Sequence, residues 1–263
     1  MKNKKRTFLY KLDNFLQDGT KKLFLISDFD RTLTKSCDKR GRNVTSWEIV
    51  RSFLSQEDQK KYVELYKKYR PLELKKILTK NDANIWWGGN LDLIGKNKIN
   101  FSLITKSVLR KVPGRPYVKE LFRLCEEKNI PTLIISAGMK NIIKVWCKKF
   151  KIEPTFVIST SLIISKNRRI IGWKKESLVN NFNKREKAKK EINKLKSKRP
   201  NIILLGDSLD DAEVAAGDKN VLRMGICDDH FPRREFNKKF DLVVKDGSLR
   251  SIVKILKLFK CKN

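Results

Sequence analysis

Three apolar runs in this sequence end in residues that can do chemistry. Leu23-Phe-Leu-Ile-Ser27 is followed by Asp28 and, two residues on, Asp30, with Thr32 beyond. Ile202-Ile-Leu-Leu205 is followed by Gly206, Asp207 and Ser208, then by Asp210 and Asp211. Between them, Thr132-Leu-Ile-Ile135 leads into Ser136-Ala137-Gly138. Such runs read as buried strands, and α/β proteins bind ligands in the crevice beyond the carboxyl ends of their strands. The acidic clusters offer oxygen donors and proton carriers. The Ser-Ala-Gly turn ahead of a helix offers free N–H groups to a phosphate. Phe182-Asn183-Lys184, with Lys184 lying 23 residues before Asp207, adds a cation. Taken singly, each has an ordinary structural use: an acidic turn capping a helix, an N-cap serine, acids against a helix dipole, a surface lysine.

The remaining composition narrows the chemistry. His230 is the single histidine, which argues against His-based metal sites and Ser-His-Asp catalysis. The five cysteines, at 37, 125, 147, 227 and 261, are widely spaced without a C-x-x-C, which argues against a disulfide framework and a thiolate zinc site. A metal here would be held by oxygen. No apolar run reaches the roughly 18 residues of a membrane span. The basic start is followed by a stretch broken by Lys11, Asp13 and Asp18, so no signal peptide is read and the expected compartment is the cytoplasm.

Lys and Arg number 61 against 29 Asp and Glu, a net charge of +32. Lysine supplies 44 of the 61, scattered and seldom interleaved with aromatics, unlike a nucleic-acid stacking surface. The densest stretch, 184–199, also holds Glu186 and Glu191 and reads as a solvated helix face. A positive field still draws in an anionic small substrate.

The elements that must position these groups alternate. Thr45-x-x-Glu48 and Ser55-x-x-Asp58 predict helix starts. Tyr62, Leu65, Tyr66 and Tyr69 follow i, i+3, i+4, i+7 on one helix face, which Pro71 is expected to interrupt. Helices are predicted near 117–128, 139–150, 185–196 and 248–259, and strands near 132–135, 155–158, 202–205, 221–224 and 241–244. Apolar segments flanking Ser165-Lys166-Asn167-Arg168 suggest a hairpin. The pattern predicts an α/β fold with a mainly parallel sheet covered on both faces, interrupted by a helical insertion.

In order and on strand ends, the four motifs resemble those of the haloacid dehalogenase superfamily of aspartyl-phosphate phosphatases. A narrower resemblance is to the cytosolic 5′-nucleotidase III (pyrimidine 5′-nucleotidase) family. It is carried by Asp28-Phe-Asp-Arg-Thr-Leu-Thr34, Pro71-Leu-Glu73-Leu74, Trp86-Trp87, Ser136-Ala-Gly138, Gly172-Trp-Lys174, Phe182-Asn-Lys184 and Leu204-Leu-Gly-Asp-Ser-Leu-Asp-Asp211. The resemblance implies a Rossmann-like core over 1–35 and 111–263 and a helical cap over 36–110. One departure stands out: Gly88-Gly89-Asn90-Leu91 replaces the family's Thr-Lys-small-His run.

The resemblance also implies roles. Asp28 is the nucleophile, Asp30 the general acid and base, and Lys184 the compensating cation. Mg²⁺ is expected on Asp28, the Asp30 main-chain carbonyl and Asp207, with Asp211 just outside. Ser136, Ala137 and Gly138 cradle the phosphate, Thr32 braces the loop beside them, and Glu73 with Trp87 or Trp86 meets the base. The expected substrate is a small phosphomonoester, foremost a nucleoside monophosphate, with phosphotransfer as a side reaction and neither membrane nor nucleic acid as partner. Two other readings remain at this point: a phosphatase for another small metabolite, phosphoserine-like, and a basic nucleic-acid-binding protein on such a core.

Overall fold

The apolar runs pair into one six-stranded sheet in this computed structural model, which describes residues 2–38, 40–227 and 233–260. His230 and Cys261 lie outside the described residues. The element order is α1 (Lys2–Asp18), β1 (Leu23–Ser27), α2 (Ser46–Arg51), α3 (Gln56–Leu74), α4 (Lys80–Lys96), α5 (Phe101–Lys111), α6 (Val118–Glu127), β2 (Thr132–Met139) and α7 (Lys140–Phe150). It continues with β3 (Phe156–Thr160), β4 (Leu162–Ile164), β5 (Ile170–Trp173), α8 (Lys184–Lys196), β6 (Asn201–Gly206), β7 (Val221–Ile226), α9 (Arg233–Lys239), β8 (Leu242–Val244) and α10 (Arg250–Leu258).

The sheet order is β3-β2-β1-β6-β7-β8, with every pairing parallel. Strand periodicity explains its two cores. Leu23, Leu25, Ile134, Ile203 and Leu205 point to one face, whereas Phe24, Ile26, Leu133, Ile202 and Leu204 point to the other, against Ala188 and Ile192 of α8. Both faces are covered, so β1 and β6 are buried along their whole length. β1 lies between β2 and β6, which places Asp28 at the switch point where the strand order reverses.

The stretch between β1 and β2 is helical. Thr45 and Ser55 accept the predicted capping bonds from the N–H groups of Glu48 and Asp58. The β4–β5 hairpin forms where expected, but it packs on α4 rather than on the main sheet, and the Trp173 indole donates to Asp92 at 2.9 Å.

Two expectations need correction. Pro71 does not interrupt α3, which runs on to Leu74. Pro71 forfeits only its own N–H bond so near the helix end, and its carbonyl still accepts from Lys75 at 3.1 Å. Nor is Ser136-Ala137-Gly138 a turn at a helix start: β2 continues through these residues to Met139, with a register shift against β3 between Ile135 and Met139, and α7 begins only at Lys140.

Candidate active site

The loop after β1 is wound tightly. The Phe29 carbonyl accepts from the N–H groups of Thr32, Leu33 and Thr34, and Arg31 adopts a left-handed φ of 65°. The buried Arg115 guanidinium holds the Arg31 carbonyl from behind. Phe29 turns into the core, edge-on to Trp146 at 5.1 Å, which leaves its two acidic neighbours toward the crevice. The Asp28 N–H continues the sheet by donating to Leu205 at 3.0 Å.

Asp30 meets the start of α2. Its Oδ1 accepts from the Ser46 N–H at 2.8 Å and its Oδ2 from the Ser46 hydroxyl at 2.5 Å. A Cβ on Gly138 would stand 2.5 Å from the Ser46 hydroxyl and 3.1 Å from Asp30, so only glycine leaves room for the pair. The Gly138 N–H itself donates to Ser136 Oγ at 3.1 Å.

Beyond β6, Asp211 opens a short 3-10 turn and folds back over Gly206, where a Cβ would lie 2.3 Å from that of Asp211. Asp211 Oδ2 accepts from the Asp207 N–H, the Ser208 N–H and the Ser208 hydroxyl at 3.1, 3.0 and 2.8 Å. Its Oδ1 accepts from the Lys184 ammonium at 2.6 Å, and the same ammonium donates to Asp28 at 2.8 Å. Lys184 reaches this position because Asn180 and Asn183, both buried, tie the preceding loop through their side-chain amides. Thr32, expected to brace the loop and to belong to the substrate-binding residues, is fully buried and donates to Asp207 at 3.1 Å, so it aims a carboxylate and does not face the cavity.

The charges are unbalanced. Asp28, Asp207 and Asp211 each offer an oxygen within 4.8 Å of the others, against the single charge of Lys184 among them. Burial pushes the Asp28 carboxyl up to about 7, with Lys184 pulling the other way and Asp211 adding to the rise. Burial first, then Asp28 and Asp211, hold Asp207 well above the carboxylate range. Burial also raises Asp30, although the Ser46 donors oppose it. Burial alone would lower Lys184, but Asp211 and Asp28 outweigh it and hold the ammonium above its ordinary value. An oxygen-only cluster with surplus negative charge suits a hard divalent cation. The Asp30 carboxylate is not part of that cluster, since both its oxygens turn to Ser46.

A cavity of about 360 Å³ opens over these residues. Asp28, Asp30, Lys184, Asp207, Asp211 and Ser136-Ala137-Gly138 line its floor, and Tyr62, Tyr66, Glu73, Trp86, Trp87 and Asn90 line the side formed by α3 and α4. Trp86 stacks on Tyr69 with ring centroids 6.1 Å apart and meets Trp87 edge-on at 4.4 Å. Glu73 sits in the last turn of α3, paired with Arg70 and accepting from Asn181 Nδ2 at 2.8 Å. The carboxylate pair, the bridging lysine and the acidic pocket thus lie together beneath the side formed by α3 and α4.

The model of the pyrimidine 5′-nucleotidase (UMPH-1) family matches residues 31–260. The chain belongs to this family. Among relatives of this pyrimidine 5′-nucleotidase family member is the 7-methylguanosine phosphate-specific 5′-nucleotidase A of Xenopus laevis, 28% identical over 270 residues, covering 96% of this chain and 93% of the relative. The structure is similar to that of cytosolic 5′-nucleotidase IIIB bound to cytidine, with a TM-score of 0.80, 25% identity, and coverage of 95% of this chain and 88% of that one. A substrate-bound phosphoserine phosphatase shares the fold at a TM-score of 0.60 and 18% identity, over 89% of this chain and 97% of that one. The chain is thus a 5′-nucleotidase-family hydrolase with a haloacid dehalogenase-like fold. No described helix is long and apolar enough to cross a membrane.

Sequence reasoning missed Ser46. The Thr45-x-x-Glu48 signature places the start of α2 but says nothing of where its first N–H points. Because two Ser46 donors stabilise the Asp30 anion, Ser46→Ala should raise the Asp30 pKa. The expected result is an upward shift of the corresponding limb of the pH–rate profile and a loss of turnover of about 10-fold. An unmoved profile separates Ser46 from the chemistry.

Proposed function

We propose that the protein hydrolyses nucleoside 5′-monophosphates through an aspartyl-phosphate. The observation that carries this is Asp28 at the switch point, joined to Lys184 at 2.8 Å, beneath a cavity walled by aromatics and Glu73. Asp28 attacks phosphorus in line, forming the acyl phosphate bond as the bond to the leaving oxygen breaks. Asp30 gives that oxygen a proton, then takes one from the water that attacks the same phosphorus and frees Asp28. Lys184 offsets the charge of the dianionic phosphate beside the carboxylates. Ser136 Oγ already accepts from Gly138, so its own O–H is left to donate to a phosphate oxygen. Mg²⁺, held by Asp28 and Asp207 with Asp211 bracing from behind, would supply further charge neutralisation at the phosphate. A nucleoside in place of water turns the same intermediate to phosphotransfer.

Glu73 favours a base with N–H donors, or one bearing positive charge such as 7-methylguanine, and Trp86, Trp87 or Tyr66 supplies a stacking face. The names of the relatives, specific for 7-methylguanosine phosphate in one case and bound to cytidine in the other, support a nucleotide. The word cytosolic in the structural relative's name supports a cytosolic setting.

A panel of phosphomonoesters with Mg²⁺, read by phosphate release, tests the reading. Nucleoside monophosphates should exceed p-nitrophenyl phosphate in kcat/KM, and Glu73→Ala should lower that ratio by about 10- to 150-fold. No preference for nucleotides in the wild type would favour a phosphatase for another small metabolite.

A further inference from the structure

The Gly88-Gly89-Asn90-Leu91 stretch, where this chain departs from the family pattern, is resolved by the structure into residues with different surroundings. A Cβ on Gly88 would face Trp173 of the hairpin at 3.7 Å, and one on Gly89 would face Leu65 of α3 at 3.2 Å. Leu91 is wholly buried in the core. Asn90 alone of the four lines the active-site cavity, one helical turn beyond Trp86.

Asn90 is 5% exposed, and its Oδ1 is buried without a hydrogen-bond donor among the described residues. Other buried asparagines behave otherwise: the side-chain amides of Asn180 and Asn183 are engaged through both oxygen and nitrogen. Among the described residues, two more buried side-chain atoms lack partners, Ser107 Oγ and Trp146 Nε1, but neither residue lines the cavity. Buried acceptors are ordinarily paired, and leaving one unmet is costly. At a position flanked by Trp87, Leu91 and Ile94, an apolar side chain would pack without that cost.

We propose that Asn90 is a specificity-determining residue whose amide oxygen, enclosed in the unliganded protein and brought to the cavity by a turn of the side chain, accepts a hydrogen bond from an N–H of the nucleobase, an exocyclic amine or a ring imino group. The inference rests on the nucleotidase reading and extends it. Glu73 on α3 and Asn90 on α4 line one cavity with the tryptophan pair, so a base stacked there meets a charged and a neutral acceptor. A site with a buried acceptor rejects analogues that lack the matching donor, because the acceptor then stays unpaired.

The test compares the wild type, Asn90→Leu and Asn90→Asp on nucleoside monophosphates, on analogues in which one base N–H donor is removed, and on ribose 5-phosphate. The expected result for Asn90→Leu is a fall of about 5- to 150-fold in the kcat/KM ratio of nucleotide over ribose 5-phosphate, carried mainly by KM. Discrimination against one donor-lacking analogue should vanish with it. Asn90→Asp keeps an acceptor and should keep part of the selectivity. Thermal unfolding gives an independent readout. If Asn90 is only a buried orphan, Asn90→Leu raises the melting temperature and leaves every ratio unchanged, which overturns the inference while the nucleotidase reading stands. A wild type that does not prefer nucleotides over ribose 5-phosphate overturns both.

Discussion

Asp28→Asn should reduce phosphate release by at least about 10³-fold and abolish the phosphoprotein trapped by acid quenching. The amide keeps the size of the side chain and one oxygen, but it cannot form the acyl phosphate through which both half-reactions pass. Asp28 is 5% exposed and held at the end of a fully buried strand, and the carboxylates near it have partners of their own, Asp207 accepting from Thr32. Asp30 is committed to Ser46, and Asp211 to Ser208 and Lys184. Near-native Mg²⁺-dependent turnover in the Asp28→Asn protein would refute the covalent mechanism.

Lys184→Met should damage the protein twice. Kinetically, both KM and kcat suffer, because the ammonium offsets charge in the bound phosphate and in the transition state. Thermodynamically, the substitution leaves Asp28 and Asp211 buried beside each other without a counter-charge, at a cost of about 3–5 kcal/mol when both are ionised. The pH dependence follows from Asp28. Its folded-state pKa, pushed by burial to about 7, lies above the unfolded value, so the folded state holds a proton that the unfolded chain has lost between these limits. Folded-state stability from this group therefore falls as pH rises toward 7. Below about pH 7 Asp28 in the folded state is mostly neutral and needs Lys184 less. The stability gap between wild type and Lys184→Met, measured by urea unfolding with a chelator present, should be larger at pH 8 than at pH 5. An equal gap at both pH values would show that Lys184 is not the counter-charge of Asp28.

Much of this arrangement is legible in the order of residues. A strand buried on both faces must be apolar throughout, so β1, β2 and β6 announce themselves, and the polar residues that end them mark the crevice. Capping chemistry is equally local, which is why Thr45 and Ser55 locate α2 and α3. The hairpin and the basic helix α8 follow from the same short-range patterns.

What could not be read are the partners of side chains distant in sequence. A helix start at Thr45 does not say that Ser46 will clasp Asp30, 16 residues earlier, over a glycine contributed by β2. Glu73 could be placed near a helix end, but its contact with Asn181, 108 residues away, arises only when α3 lies over the loop that delivers Lys184. Nor does α4 reveal by periodicity which of Gly88, Gly89, Asn90 and Leu91 will face the cavity, because α3, the hairpin and the core compete for its sides. Hydrophobic period and capping are set within a few residues, and they determined the elements and the carboxylates of this protein. Which carboxylate is braced, which is compensated and which amide is left without a partner are properties of packing between elements, and only the tertiary structure decided them.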